Sequence, residues 1–278
     1  MTVRQTSSKG QFQPALAQRV VALTVTLLAL SLAGCATTAS PDRMSTGSIP
    51  TLTKSVDQMS PGEVATATDS MGRAYAKTPQ NPQIGIAYAN LLQASGRAPQ
   101  ALAVMQQVAI ANPTNRQVLG AYGKAQAAAG QLEQALVTLT RAQTPDRPDW
   151  RLYSAQGAVF DQLGRAQDAR TSYKQALQIQ PNEPSVLSNM GMSYVLSGDL
   201  KTAETYLRTA AQQPTADSRV RQNLALVVGL QGRFDEADKI ARQELSPQQA
   251  EANVAYLRTM LSQQNAWKQL AAKDGGKA

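Results

Sequence analysis

Apolar residues follow two nested rhythms along this chain. Within short segments they recur at spacings of three and four, the pattern of an amphipathic helix. Between segments the whole pattern returns every 34 residues. Its marker is a glycine (Gly96, Gly130, Gly164, Gly198, Gly232), followed five residues on by an alanine (Ala101, Ala135, Ala169, Ala203, Ala237). Seven residues before the glycine stands a small residue: Ala89, Gly123, Gly157, Gly191 or Ala225. Four before it stands a bulky one in every window but the second: Leu92, Gln126, Phe160, Tyr194, Val228. Met105, Leu139, Tyr173, Leu207 and Ala241 stand nine after it, and Val108, Ala142, Ala176, Ala210 and Glu244 twelve after it. The glycine thus separates two helices, at a turn where left-handed torsions carry no steric cost. The small residues let paired axes approach closely, and Pro113, Pro148, Pro181 and Pro214 stop one unit before the next begins. A fixed period of this length predicts a stack of helical hairpins, an all-α solenoid.

The uninterrupted series Gly157, Phe160, Gly164, Ala169, Tyr173, Ala176, Pro181 resembles the tetratricopeptide repeat family. That family's pattern is small residue, aromatic, turn glycine, alanine, aromatic, alanine, proline. The resemblance covers residues 82–251 as five full repeats and implies a right-handed solenoid of stacked helix hairpins. Gly62, Ala67, Met71, Ala74 and Pro79 keep the same phase in an N-terminal half-repeat, which opens on a capping box, Ser60-Pro61-Gly62-Glu63. A second box, Ser246-Pro247-Gln248-Gln249, starts a helix with Val254, Leu257 and Leu261 on one face and Ala250 and Tyr256 near its edges. Solenoids need such an atypical unit to cover their last apolar face. The solenoid with its caps is placed at residues 60–262. Trp267 and Leu270 could extend the last helix into a tail, 263–278, whose Lys273-Asp274-Gly275-Gly276 end is expected to fray. Gln126 in place of an aromatic, and Glu244 in place of a small residue, predict loose packing at the edges of repeats two and five.

Ahead of the solenoid, Arg4, Lys9 and Arg19 precede an apolar run from Val20 to Leu30, then Ser31-Leu32-Ala33-Gly34-Cys35. A charged leader, a short apolar segment and small residues make a secretory signal peptide, and the run is short for a membrane span. Leu-Ala-Gly-Cys resembles the lipobox of bacterial lipoproteins. This implies removal of residues 1–34 and lipidation of the Cys35 thiol and of the new amino group. An ordinary signal peptide holding a chance cysteine is the competing reading; Cys35 is the only cysteine in the chain and stands at the cleavage position. Buried acyl chains contribute about 0.8 kcal/mol per methylene, so several chains anchor a protein stably. Ala36 follows the cysteine instead of the aspartate associated with inner-membrane retention, which by resemblance implies the periplasmic face of the outer membrane. Residues 35–59 form the lipidated N-terminus and a Ser/Thr/Pro-rich tether. About two dozen flexible residues reach roughly 25–30 Å.

The chain has no histidine and no second cysteine. Disulfide scaffolds, zinc sites built on either residue, serine–histidine triads and any cysteine nucleophile after lipidation are excluded. The acidic pair Asp235-Glu236 opens a predicted helix, where negative charge meets the dipole favourably. Every recurring glycine belongs to the repeat grid, so no phosphate loop remains. Neither catalysis nor a cofactor or metal is expected. Removing the leader's three basic residues leaves 24 basic against 19 acidic, a net charge of +5. The basic residues stand singly, and the Gly-Arg pairs at 96, 164 and 232 read as solvated turn residues; no nucleic-acid partner is expected.

First helices of this family line a concave groove that binds peptides or helices. Carried over by position, the groove-lining candidates are Asn90, Lys124, Arg151, Asp161, Asn189, Met192, Asn223 and Leu226. The strip is polar toward the N-terminus and apolar toward the C-terminus, where Val195 and Leu230 join it. Burial of Met192 and Leu226 by the next helix, and backbone bonding by Asn189 and Asn223, are the structural alternatives. The carboxylate clamp of chaperone-binding members needs lysines where Gly120 and Ser154 stand, which speaks against clamp function.

Two C-terminal segments, NLALVVGLQGRFDEA (Asn223 to Ala237) and LSPQQAEANVAYLR (Leu245 to Arg258), are similar to the signature of the TadD family. These are the tetratricopeptide lipoproteins of tight-adherence (Flp) pilus machines. The resemblance implies a pilotin-like role in pilus assembly, with the outer-membrane secretin subunit as partner. A scaffold for envelope upkeep, such as a cell-wall synthase regulator or polysaccharide-export adaptor, is the alternative.

Overall fold

The computed structural model describes residue 52 and residues 54–275, side chains excepted at residue 57 and beyond residue 263. The leader, Cys35 and the tether before residue 52 lie outside the described residues, as do the side chains of Trp267 and Leu270. The described part is helical apart from turns, with an isolated bridge between Thr144 and Arg147. A 3-10 turn, Val56–Gln58, leads into α1, Pro61–Lys77, the half-repeat. Five hairpins follow: α2, Pro82–Ala94, with α3, Ala98–Ala111; α4, Arg116–Ala128, with α5, Leu132–Ala142; and α6, Trp150–Gln162, with α7, Ala166–Ile179. The last two are α8, Pro184–Leu196, with α9, Leu200–Ala211, and α10, Ser218–Leu230, with α11, Phe234–Ala241. α12, Pro247–Gly275, closes the row; no described helix is long and apolar enough to cross a membrane. Each second helix packs on the first helix of the next hairpin, and first helices also touch one another along the row from α2 to α12. The all-α solenoid expected from the period is the fold.

All five turn glycines have left-handed torsions, φ between 71° and 81°. At Gly164 its N–H reaches the Asp161 carbonyl at 3.0 Å and the Arg165 N–H reaches the Phe160 carbonyl at 2.8 Å, and the same two bonds recur at every turn. This double closure satisfies carbonyls that a helix end otherwise leaves open. Inside the hairpins the small residue of the first helix faces the large residue of the second. A methyl at Gly157 would lie 2.5 Å from the Tyr173 ring, and one at Gly123 or Gly191 would lie 2.7 or 2.8 Å from Cγ of Leu139 or Leu207. Where the second helix offers only Ala241, the first carries Ala225.

Both predicted capping boxes form. Ser60 and Glu63 exchange bonds of 3.3 and 2.8 Å, and Ser246 and Gln249 exchange bonds of 3.3 and 3.1 Å. Asn81, Asn115, Asp149, Glu183 and Asp217, themselves 34 residues apart, each cap the following first helix with a side-chain oxygen. The two departures from the pattern are not loose edges. Gln126 is buried at 5% exposure with its Oε1 unpartnered, so its defect is an unsatisfied polar atom in a closed interface. α11 ends before Glu244, whose carboxylate pairs with Arg221; that guanidinium also donates to the Ala216 carbonyl at 3.0 Å. α12 buries Ala250 and Leu257 and is helical to Gly275.

Between repeats four and five the second helices carry an ionic network. Glu204 accepts from Arg208 at 2.7 Å, from Gln231 at 2.9 Å and from Arg233, while both arginines also pair with Glu236. The acidic pair at the start of α11 is thereby divided: Glu236 joins the network and Asp235 faces water. The Arg233 hydrogen bond is the main cause that holds the Glu204 carboxyl at about 2 against the usual 4.5, with burial opposing it and Gln231 and Arg208 assisting.

Two outcomes follow in urea unfolding of the full chain. Gly157→Ala, which needs Tyr173 to move, is expected to lower stability by about 1–3 kcal/mol; Gly164→Ala meets no atom and is expected to lose only the torsional cost of about 1–2 kcal/mol. Because the folded Glu204 pKa lies below its unfolded value, its contribution is full above pH 4.5 and fades as pH falls toward 2. Glu204→Gln should therefore flatten the acid limb of the stability profile; an unchanged acid limb would refute the network's role.

Candidate functional site

Because the second helices take up the hairpin contacts on one side, the first helices leave their other side to a cleft. Its N-terminal part holds about 940 Å³ between α2, α4 and the start of α6, with Leu52 at its margin. A continuation of about 520 Å³ runs past α4 and α6 to α8, and Lys124 and Arg151 belong to both. Asn90, Lys124 and Arg151 therefore stand together in one concavity, and Asn189 lines its continuation. Lys124 is exposed to water yet ringed by protein on the concave side. Desolvation lowers its pKa, nearby Asp149 opposes that shift, and Arg151 adds to it. No ion pair engages Lys124 among the described residues.

Other candidates are committed to the scaffold. Asp161 accepts from the Tyr173 hydroxyl at 2.9 Å and from Ser193 at 2.7 Å, tying α6 to α7 and α8 instead of facing a partner. Burial, and then the Asp161 carboxylate beside it, raise the Tyr173 phenol above its usual range. Asn189 donates to Ser154 at 3.2 Å and Asn223 donates to Ser188 at 3.1 Å. Each amide thus reaches a buried hydroxyl on the preceding first helix, not neighbouring backbone, and the link repeats with the period. Met192 is half-buried against the cluster around Leu207, Leu224 and Val227. Leu226 lines a separate apolar pocket of about 250 Å³ between α10, α11 and α12, with Leu245, Val254, Tyr256 and Leu257. At the clamp position Gly120 a methyl would lie 2.8 Å from Leu152 Cδ2, so a side chain there needs Leu152 to shift.

Reading the basic residues singly missed Arg116 and Arg147, which join Lys124 and Arg151 around the cleft. Arg116 donates to the carbonyls of Ala142 (2.8 Å) and Arg147 (2.5 Å), bracing the loop that brings Arg147 to the cleft. Gln143 fixes the other end of that loop through two bonds to the Asp149 backbone, at 3.0 and 3.1 Å. The available signal was the repeat register: Arg116 and Trp150 occupy the first position of consecutive repeats, and Gln117 and Arg151 the second. The cleft holds no metal-type cluster of histidine, cysteine or acidic side chains among the described residues.

A family model described as tetratricopeptide repeat matches residues 58–118, 93–158 and 162–227. Among solved structures, a thermophilic tetratricopeptide protein of Thermus thermophilus is 25% identical over 60% of this chain and 91% of its own, with a TM-score of 0.54. The Cut9–Hcn1 hetero-tetramer of the APC/C aligns at 16% identity over 75% of this chain and 40% of its own, with a TM-score of 0.57. PilW, a widely conserved type IV pilus biogenesis factor, aligns at 18% identity over 72% of this chain and 91% of its own, with a TM-score of 0.52. The last two likenesses are of fold alone. No curated protein matches the chain.

Truncating Asn189 or Asn223 to alanine leaves a buried serine hydroxyl without its donor. Each variant is expected to unfold about 1 kcal/mol more easily in urea; the wild-type midpoint in both would contradict the inter-repeat link.

Proposed function

The chain belongs to the tetratricopeptide-repeat family, and from that premise we propose that it is a lipid-anchored scaffold for assembly of a tight-adherence (Flp) pilus. In this reading it stands at the periplasmic face of the outer membrane, held by acyl chains on Cys35, and acts in a pilotin-like manner on the secretin subunit. The observation that carries the proposal is the C-terminal similarity to the TadD lipoproteins, joined in the same chain to a lipobox-like leader. The two similar segments are adjoining pieces of one structure. Asn223 to Ala237 forms the C-terminal part of α10, its turn and the start of α11, and Leu245 to Arg258 leads into α12 and forms its start, whose Leu257 seats against Gly229. PilW supplies a precedent for this architecture in pilus service, though its likeness extends to fold only.

The physical role needs no chemistry beyond binding. A solenoid of five hairpins presents one continuous face of first helices, long enough to hold an extended segment or a helix. Holding that face at the membrane through the Ser/Thr/Pro-rich stretch after Cys35 raises the partner's effective concentration there without adding a contact.

Deleting the chromosomal gene is expected to abolish surface pili, and the intact gene to restore them. Cys35→Ala should fractionate as a soluble periplasmic protein and fail to restore pili. Normal piliation in the deletion strain would overturn the proposal, and a cell-wall or capsule defect in its place would favour the envelope-upkeep scaffold.

A further inference from the structure

From Ser70 to Leu132 the chain contains no aspartate or glutamate, although Arg73, Lys77, Arg97, Arg116 and Lys124 all lie in that stretch. α2 and α4, which form most of the N-terminal cleft, are therefore free of acid. On α6 the one carboxylate, Asp161, is taken by Tyr173 and Ser193. The cleft is lined by Arg116, Lys124, Arg147 and Arg151 against a single acid, Asp149. Asp149 is the cap of α6, accepting the Arg151 N–H at 2.9 Å, and its carboxylate lies 4.0 Å from the Arg151 guanidinium.

The four cations are poorly neutralised. Arg147 meets Asp146 at 3.5 Å, but both side chains are more than two-thirds exposed, where such pairs contribute little. Arg116 donates only to backbone carbonyls, which hold its position and cancel none of its charge. Arg151 lies 4.4 Å over the Trp150 ring, which fixes the guanidinium without discharging it. Cations gathered in a concave, low-dielectric wall focus their field into the space they enclose.

We propose that this N-terminal half of the concave face is a site for an acidic peptide segment: an extended Asp/Glu-rich stretch of a protein partner lies across α2, α4 and α6, its carboxylates received by Lys124 and Arg151. The proposal rests on the reading of the solenoid as a partner-binding scaffold and names the chemistry of what it binds. Arg116 and Arg147 supply attraction from the rim. Between the charges stand Gln83, Asn90 and Gln117, whose amides both donate and accept and so match the backbone of an extended chain. A concave lining drawn from three successive first helices suits an extended chain better than a flat bilayer surface. A carboxylate entering beside Lys124 favours its charged form and so offsets the desolvation that lowers its pKa.

The test titrates the purified full-length chain, in detergent, with a fluorescent peptide of about a dozen residues alternating glutamate and serine and amidated at its C-terminus. A glutamine-for-glutamate peptide and anionic phosphatidylglycerol vesicles run in parallel. The glutamate peptide is expected to bind, to weaken steadily with salt, and to exceed the glutamine peptide by about tenfold or more. Lys124→Gln with Arg151→Gln should remove that preference, while Lys174→Gln with Lys239→Gln, exposed on second helices, should keep it. Lys124→Glu with Arg151→Glu should turn the preference toward a lysine–serine peptide, a gain that misfolding cannot mimic. Equal binding of the glutamate and glutamine peptides, unchanged affinity in the Lys124/Arg151 variants, or capture by vesicles without peptide binding would each overturn the site. Failure here is distinct from failure of the pilus reading: unaltered peptide affinity in the variants leaves piliation phenotypes untouched, and normal pili in the deletion strain leave peptide affinity in place.

Discussion

Within the second, third and fourth hairpins, a glycine on the first helix meets the bulk of a residue on the second. Gly157 against Tyr173, and Gly123 and Gly191 against leucines, bring the paired helices so close that a single added methyl has no place. Interiors packed to this density tolerate few changes of volume. The spacing set by that contact fixes the hairpin, the glycine turn closes it, and the repeat of both every 34 residues fixes the row. The cleft is a consequence of the row.

Stability and recognition are divided between the two layers of helices. Second helices hold Tyr173, Leu207 and the Glu204–Arg208–Arg233–Glu236 network, which bind neighbouring repeats to one another. First helices are tied into the row by the serine–asparagine links and Asp161, while Asn90, Lys124 and Arg151 line the cleft. Charge follows the same division: arginines of the outer network find carboxylates, whereas Lys124 and Arg116 at the cleft find none among the described residues.

What could be read from the sequence depended on how local each rule is. Turn glycines, capping boxes and small–large pairs are set by spacings of a few residues within a period, so the sequence displays them directly. The series Asn81, Asn115, Asp149, Glu183, Asp217 was equally legible and would have placed every first helix. Position alone put Asp161 in the groove, but two hydroxyls on different helices claim its carboxylate, and no one-dimensional pattern shows that competition. Gln126 and Glu244 looked like matching defects, yet one is sealed with an oxygen unpartnered and the other lies past its helix beside Arg221. The basic cleft was hidden because Arg116, Lys124, Arg147 and Arg151 stand apart along the chain and converge only when hairpins stack.

If the face of the first helices, and not the outer layer, holds the partner, proximity in living cells will report it. A photocrosslinking residue is placed at Asn90 in the cleft, and separately at Ile110, which is 68% exposed on the second helix α3. Adducts to a pilus-assembly protein from position 90 with none from position 110 are the predicted result. Adducts from position 110 alone would contradict it.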